Sequence, residues 1–213
     1  MSEYSKSALS VLRKPWLTMQ WYAVPLFVIV LYIIVNEFTK KNYNVLLGAA
    51  ALWGMDLFNE LWNSMVFFGT GYAPVWGTPG SVGNTSFLIL IGYNIEISMM
   101  FAVLGIVACK QLMADPGKKV LGINNRVLAA IVMTTLAVAI ECFLNYAGVL
   151  TWEYPWWSRK APYLIWLIGY LPFYTMAFIV HDMKKRRHQW ITLGVIYGVD
   201  LSLVIILACA GWI

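Results

Sequence analysis

Long apolar runs of about twenty residues recur along this chain and limit what it can fold into. A helix of that length spans the ~30 Å hydrocarbon core of a bilayer and satisfies its own backbone hydrogen bonds there. We therefore expect an all-α, polytopic integral membrane bundle with about six membrane-spanning helices, seven being the alternative count. The runs cover roughly residues 18–36, 43–68, 85–109, 126–150, 161–181 and 190–212.

The composition agrees with a membrane protein. The chain is 61% hydrophobic and 12% charged, whereas a soluble domain is about 25% charged. No linker divides it, so we expect residues 1–213 to form a single transmembrane domain. Residues 1–14, which include SALSVLRK, form a short basic amphipathic segment, typical of a helix that lies on the membrane surface. The first apolar run is too long for a removed signal peptide, and it lacks a small-residue cleavage site.

The basic residues indicate membrane topology, because most of them lie between the apolar runs. The net charge of +5 is therefore not a sign of nucleic-acid binding. Loops 37–42, 110–126 and 182–189 carry most of the lysines and arginines, as cytoplasmic loops do. With six helices these loops share one side, which we expect to face the cytoplasm from a plasma membrane or endomembrane. The cations near the N-terminus argue against this orientation.

Two loops on the opposite side have a different character. Loop 69–86 is uncharged and rich in glycine and proline, and loop 151–163 is dense in tryptophan and tyrosine. Aromatic residues often form a belt at the level of the lipid headgroups. The alternative is an ordered lid over a cavity in the bundle, and the sequence leaves both interpretations open.

Acidic and amide side chains inside the apolar runs are the candidates for a functional site. A charged group at the bilayer centre costs about 2.5–3.5 kcal/mol, so these groups should face the bundle interior. No lysine, arginine or histidine lies at comparable depth. We therefore expect at least one acid to be neutral and to act as a proton donor in an apolar cavity. The groups are Asp56, Asn59, Glu60, Asn63, Glu96, Glu141, Asn145 and Asp200.

Aromatic residues near the acids favour chemistry through a carbocation. Each aromatic face can stabilise a cation by about 1–2 kcal/mol, and a second carboxylate can remove the final proton. For the amides the alternative role is hydrogen bonding between helices, and for Asp56 it is packing as a neutral acid. The predicted catalytic residues are Glu60, Asp200, Glu141 and Glu96. The predicted substrate-binding residues are Asp56, Asn63, Trp62, Tyr93, Asn145, Tyr146 and Tyr197.

Motifs for other chemistries are absent from the sequence. Bundles that hold two metals with carboxylates use Glu-x-x-His on facing helices, and this spacing does not occur here. The stretch GTPGSVG lacks the lysine of a phosphate-binding loop. The three cysteines form no Cys-x-x-Cys pair and are typical of small packing residues. We expect no metal, no cofactor and no nucleic-acid partner.

Two stretches resemble the integral-membrane terpene cyclases of meroterpenoid pathways, which are small all-helical proteins. The stretches are LWGMDLFNELWNSM and VIYGVDLSL. That family has an acidic residue in an aromatic-rich second helix and an aspartate in its final helix. The resemblance therefore implies Glu60 and Asp200 as the acid pair that protonates an isoprenoid. The chain departs from the family at Asn59, where the family has tryptophan, and in its expected six helices instead of seven. Membrane carotenoid hydratases are similar in a more general way.

Three functions agree with these features. The one we favour is an intramembrane acid–base enzyme that cyclises, isomerises, hydrates or dehydrates an isoprenoid-like molecule from the bilayer, without a cofactor. The alternative is a proton- or cation-coupled transporter that uses the buried acids as a relay, and for so small a chain this requires a homo-oligomer. The third is a lipid-binding or assembly subunit without chemistry. The expected partners are a hydrophobic small molecule and membrane lipid.

Overall fold

The computed structural model of the protein describes residues 1–78 and 87–213, and this part of the chain is mostly helical. Its helical segments are α1 Glu3–Val11, α2 Pro15–Thr18, α3 Ala23–Thr39, α4 Tyr43–Thr70, α5 Ile95–Lys110, α6 Asn125–Tyr146, α7 Pro162–Leu164, a π-helical segment Ile165–Tyr170, α8 Leu171–Asp182 and α9 Arg186–Cys209. There are also two short antiparallel hairpins. Strand β1 (Leu88–Leu90) pairs with β2 (Tyr93–Asn94), and β3 (Lys119–Val120) pairs with β4 (Ile123–Asn124).

The long helices agree with an integral membrane protein. Within the described ranges, three helical stretches are long and apolar enough to cross a membrane, and α3 is a shorter apolar helix. The three are Asn125–Tyr146, Pro162–Asp182 and Arg186–Cys209. The count of six spans stays a prediction, since α5 has only 16 residues and one face of α4 carries a polar stripe formed by Asp56, Asn59, Glu60 and Asn63.

The third apolar run, 85–109, does not form one helix, so its predicted start was wrong. Strands β1 and β2 occupy part of it, and α5 begins only at Ile95. Asn94 fixes this start, because its side chain accepts a hydrogen bond of 2.8 Å from the Ile97 amide. Glu96 therefore lies in the first turn of α5 instead of deep within a helix. Residues 85 and 86 are outside the described part of the chain.

Helix α4 lies at the centre of the bundle and packs against α3, α5, α8 and α9. Small residues allow the close approach. A Cβ atom at Gly105 would lie 2.7 Å from the Ala49 Cα, and one at Gly48 would lie 2.7 Å from the Cys109 Sγ. Because neighbours surround α4, its polar stripe is directed at protein and not at lipid.

The two kinds of loop lie at opposite ends of the bundle. At one end, Lys110 pairs with Glu37, and Arg126 pairs with Asp182 through a contact of 2.7 Å. These contacts bring the three basic loops together, as the sequence predicts. Which face of the membrane this end meets stays a prediction.

Helix α1 lies at the other end of the bundle. Its Ala8 and Val11 pack against Phe67 of α4 and Leu88 of β1. The Arg13 amide also donates a hydrogen bond of 2.9 Å to the Leu88 carbonyl. The predicted amphipathic segment is thus a helix with one side buried on the bundle, and its position at a membrane surface stays a prediction.

Candidate active site

A cavity of about 140 Å³ lies between α4, α5, α6 and α8. We call it the acid cavity, because three carboxyl groups reach an otherwise apolar and aromatic lining. Its polar lining residues are Asp56, Asn59, Glu60 and Glu141. Its aromatic lining residues are Trp76, Phe101, Trp157, Tyr170, Phe173 and Tyr174.

The polar stripe of α4 supplies most of the polar side of this cavity. Asp56 and Glu60 are one helical turn apart, and both are buried, with 3% of their surface exposed. Asn59 lies between them in the lining. Asn63, one turn further on, is fully buried but does not line the cavity.

Asn63 binds the loop that follows α4. Its Nδ2 donates to the Trp76 carbonyl at 2.7 Å, and its Oδ1 accepts from the Val75 amide at 2.7 Å. The side-chain amide thus satisfies one backbone acceptor and one backbone donor of the loop, as a paired strand would. Asn63 thus fixes the loop above the acid cavity.

The second aromatic loop is tied to the first. Gly77 and Thr151 exchange backbone hydrogen bonds of 3.0 and 2.7 Å, and the Tyr154 hydroxyl donates to the Ala73 carbonyl at 2.9 Å. Residues 71–78 and 151–157 therefore form an ordered lid, which was one of the two interpretations of these loops. The rest of the first loop, 79–86, lies outside the described residues.

Trp76 brings the lid into contact with the acid stripe. Its Nε1 donates a hydrogen bond of 2.8 Å to Glu60 Oε1. Its ring centroid lies 5.3 Å from that of Trp157 and 5.8 Å from that of Trp62. Within the described residues, Glu60 Oε2 is buried and has no hydrogen-bond partner. The lid thus holds one oxygen of Glu60, and the other oxygen lies beside the β1–β2 hairpin, where a Cβ atom at Gly92 would be 3.1 Å from it.

Glu141 enters the cavity from α6 and is held by Tyr170. The Tyr170 hydroxyl donates a hydrogen bond of 2.8 Å to Glu141 Oε1, and its ring stacks on Phe101 with centroids 6.1 Å apart. Tyr170 ends the π-helical segment Ile165–Tyr170, and Pro172 follows two residues later. Proline has no amide hydrogen to donate to the preceding turn, and this favours the wider π turn.

The charge balance of the cavity is unusual for a buried site. No lysine, arginine or histidine is among its lining residues in the described parts of the chain. An unpaired ion buried away from water costs several kcal/mol, and three neighbouring carboxylates would also repel one another. We therefore expect that the three acids are not all ionised at the same time.

The cavity opens sideways between α5 and α6. Its lining includes Met100 on α5 and both Leu136 and Ile140 on α6. Their surfaces are 46%, 54% and 48% exposed, so they form the rim of the opening. The sides of a membrane bundle meet lipid acyl chains, and an apolar molecule in the bilayer could enter there.

Asp200 lies away from the acid cavity, although the sequence groups it with Glu60. It is 2% exposed, and neither carboxyl oxygen has a hydrogen-bond partner in the described residues. Its helix, α9, packs on another face of α4, where Tyr197 donates a hydrogen bond of 2.8 Å to the Ala50 carbonyl. Glu141 is the acid that the structure places in the same cavity as Glu60, because residues of α6 line this cavity and residues of α9 do not.

Glu96 and Tyr93 are also outside the lining. Glu96 accepts a hydrogen bond of 2.7 Å from the Tyr22 hydroxyl. The Tyr93 hydroxyl accepts a hydrogen bond of 3.1 Å from Trp53 Nε1. Both residues fasten the start of α5 to its neighbours.

Three further residues that the sequence assigns to substrate binding have other contacts. Asn145 donates to the Leu150 carbonyl at 3.0 Å, so it stabilises the end of α6. Tyr146 is 75% exposed and lies under the guanidinium of Arg159. Trp62 packs behind Trp76 instead of lining the cavity.

The sequence did not single out Trp76 and Trp157, which provide much of the aromatic wall. The density of tryptophan in the two loops was the available signal, but it does not say which ring faces inward. Within residues 1–78 and 87–213, no group of three or more histidine, cysteine or acidic side chains could hold a metal ion.

Comparison with known proteins places the chain among membrane proteins. A family model described as an uncharacterized membrane protein family matches residues 2–209. An uncharacterized protein of Archaeoglobus fulgidus is 46% identical over 207 residues, which cover 97% of this chain and 96% of that protein. A second uncharacterized protein of Archaeoglobus fulgidus is 45% identical over 53 residues, 24% of this chain and 95% of that protein.

No solved structure matches the chain. The families matched do not include terpene cyclases or carotenoid hydratases, so the resemblance to them stays unconfirmed.

Proposed function

Because the chain belongs to an uncharacterized membrane protein family, we propose that its acid cavity is the active site of an intramembrane acid–base enzyme. The substrate is an apolar, isoprenoid-like molecule that enters from the bilayer. One observation carries the proposal: Asp56, Glu60 and Glu141 line one aromatic cavity whose described lining contains no basic residue.

Glu60 is the proton donor in this proposal. Its Oε1 is already engaged by Trp76, which fixes the carboxyl group while the other oxygen has no partner in the described residues. A proton from Glu60 adds to one carbon of a double bond, whose π electrons form the new C–H bond. The neighbouring carbon becomes a cation, which the rings of Trp76 and Trp157 stabilise.

Glu141 completes the reaction as the base. The hydrogen bond from Tyr170 stabilises the ionised form of Glu141, which can remove a proton from the carbon beside the cation. A new double bond then forms. The proton returns from Glu141 to Glu60 within the same group of acids, so neither a redox step nor a second substrate is needed. If water attacks the cation instead, Glu141 takes the proton that the attacking water loses, and the product is an alcohol.

The closure of the cavity at its ends supports an enzyme over a transporter. The lid covers one end through Trp76 and Trp157. Toward the basic end, the buried side chains of Leu52, Ala108 and Ala177 fill the core. A transporter needs a path from its site to both faces of the membrane, whereas an enzyme for a lipid-soluble molecule needs only the opening between α5 and α6.

Solvent deuterium tests the proposal, because any carbon protonated by the enzyme acquires the isotope. The full chain in lipid nanodiscs is incubated in D₂O with a panel of polyprenyl alcohols, polyenes and their epoxides. Products are then analysed by mass spectrometry. Glu60→Gln and Glu141→Gln should each lower deuterated product at least 100-fold, within the usual contribution of a general acid or base. Glu3→Gln, which makes the same change at an exposed position, should have no effect.

Two further measurements separate the competing hypotheses. Asp200→Asn should retain activity, because Asp200 does not line the cavity. Loss of activity in this folded variant would instead support the acid pair that the terpene cyclase resemblance implies. Substrate-driven proton flux into liposomes, with no new product, would overturn the enzyme in favour of transport.

A further inference from the structure

A second concave site lies at the basic end of the bundle. It is a cleft of about 690 Å³ lined by the starts of α4, α6 and α9 and by the ends of α5 and α8. We call it the basic cleft. On α6, Arg126 of this cleft and Met133 of the acid cavity are about 10 Å apart along the helix axis. The core lies between the two sites, so the basic cleft is independent of the proposed reaction.

Cations outnumber carboxylates around this cleft. Its lining contains Lys110, Arg126, Lys184 and Arg186. Lys110 is paired with the buried Glu37, and Arg126 is paired with Asp182. Four cations and two carboxylates leave an excess of two positive charges. In the described part of the chain, that excess belongs to Lys184 and Arg186, which form no ion pair.

The geometry of Arg186 leaves it able to bind an anion. One of its Nη atoms donates to Gln189 Oε1 at 2.7 Å, and its guanidinium lies 5.5 Å from the centroid of the Tyr43 ring. These contacts orient the side chain without neutralising it. Gln189 is itself 1% exposed, and it donates to the Val180 carbonyl at 2.8 Å. Buried Gln189 therefore fixes the Arg186 side of the cleft, and the exposed Lys184 adds the second positive charge.

The N-termini of α4 and α9, which carry partial positive charge, both lie at the basic cleft. The N-terminal residues of α4 and of α9 line the cleft, and neither helix has a side-chain cap at its start. The first turn of α9 also lacks an acidic residue. Unbonded backbone amides at a helix N-terminus attract anions, and here they add to the two unpaired cations.

We propose that the basic cleft binds a phosphate group. Guanidinium and ammonium groups around a concave site provide the charge-assisted hydrogen bonds that phosphate oxygens accept. The ligand is either the headgroup of a phospholipid or a free phosphate or diphosphate ion, and the chemistry of recognition is the same for both. The cleft lies at the end of a membrane bundle, where either source can reach it.

Native mass spectrometry of the full chain in detergent tests the proposal with two lipids that differ only in phosphate. Dioleoylphosphatidic acid should bind, and dioleoylglycerol, which has the same acyl chains, should not. The double variant Lys184→Gln/Arg186→Gln should weaken the binding of phosphatidic acid at least tenfold. Lys118→Gln/Lys119→Gln removes two charges near the same end without touching the cleft lining, and it should change binding less than twofold.

Calorimetry with inorganic phosphate and diphosphate identifies the source of the group. If either ion binds and displaces phosphatidic acid, the ligand is the free ion; if neither does, it is the lipid headgroup. If the two double variants weaken the binding of phosphatidic acid equally, the binding depends only on general surface charge, and the proposal is overturned. Failure of all three phosphate probes to bind would do the same. Lys184→Gln alone keeps the contacts of Arg186, so it tests the cleft if the double variant does not fold.

Discussion

Asn63 links the polar stripe of α4 to the lid through hydrogen bonds of its side-chain amide. Its amide group bonds the backbone of Val75 and Trp76, while the Trp76 side chain bonds Glu60. The acid is therefore positioned by a residue that does not line the cavity. In the proposed reaction, Asn63 is a positioning residue and Glu60 is the group that meets the substrate.

Asn63→Ala should open the lid. The substitution leaves the buried Val75 amide and Trp76 carbonyl without their partner, which costs about 1–3 kcal/mol for each unsatisfied group. Hydrogen exchange at the Val75 and Trp76 amides should become at least tenfold faster, and deuterated product should fall. Asn124→Ala removes an amide side chain that also bonds backbone groups in both directions, the Pro116 carbonyl and the Arg126 amide, but at the basic end, and it should leave both readouts unchanged. Unaltered exchange in Asn63→Ala would show that the lid is held in another way.

The sequence predicts the residues of this stripe better than it predicts their roles. A spacing of three and four residues indicates a shared helix face, so Asp56, Glu60 and Asn63 could be grouped in advance. The partner of Asn63, however, is the backbone of a loop. Backbone groups are the same in nearly every residue, so the sequence does not show which of them Asn63 binds. Asp200 was grouped with Glu60 because both are acids in apolar helices. Which face of α4 each helix meets depends on packing, and sequence alone does not give it.

At the scale of elements, the hairpin of β1 and β2 supports the lid by packing against Asn63, Trp76 and Glu60. A Cβ atom at Gly92 would lie 2.4 Å from Asn63 Nδ2 and 2.7 Å from the Trp76 carbonyl oxygen. The hairpin can approach Asn63 this closely only because residue 92 has no side chain. This contact also accounts for the late start of α5, since residues 88–94 are used to line the stripe instead of extending the helix.

Gly92→Ala should therefore destabilise the protein through overpacking. The expected cost is about 1–3 kcal/mol, because the added methyl group meets a backbone carbonyl that is fixed by Asn63. Thermal unfolding in detergent measures the change, and turnover in the proposed reaction should fall with it as Trp76 moves. Gly194→Ala is the matched control: nothing lies within 4 Å of the added methyl group, and alanine favours a helix. A melting temperature of Gly92→Ala equal to that of the wild type would contradict this account.

Apolar runs predicted the positions of most long helices, because the hydrophobic pattern alone decides where a helix can lie in a membrane. The start of α5 was missed for a physical reason. Leu88, Ile89 and Leu90 are as apolar as a helix requires, but they pair with β2, and Asn94 then caps the next helix. Pairing with β2 therefore determines the structure of residues 88–90, whose apolar pattern is equally compatible with a helix.

The whole molecule has two ends of different chemistry and an opening on its side. The lid closes one end with tryptophan, and the basic cleft forms the other with lysine and arginine. Charge distribution along the sequence predicts this division, since the strongly basic loops alternate with loops that are rich in glycine, proline and aromatic residues. The lateral opening could not be predicted in this way, because it depends on how far α5 and α6 stand apart.

The opening between α5 and α6 gives a prediction for the molecule as a whole. Leu136→Trp places a larger side chain on the rim of the acid cavity, where Leu136 is 54% exposed. If the substrate enters from lipid, kcat/KM for a long polyprenyl chain should fall at least tenfold, and a short-chain substrate should be affected less. The melting temperature should stay within a few degrees, because the new ring is directed toward lipid and not into the core.

Val132→Trp is the control for this experiment. Val132 is one turn away on α6 and is equally exposed, at 54%, but it does not line the cavity. The two variants add a tryptophan to the same lipid-facing helix, so they share any general effect on insertion or stability. A selective loss in Leu136→Trp would show that substrate passes between α5 and α6. Equal kcat/KM in the two variants would instead mean that entry occurs elsewhere, and the lid would then be the element to test.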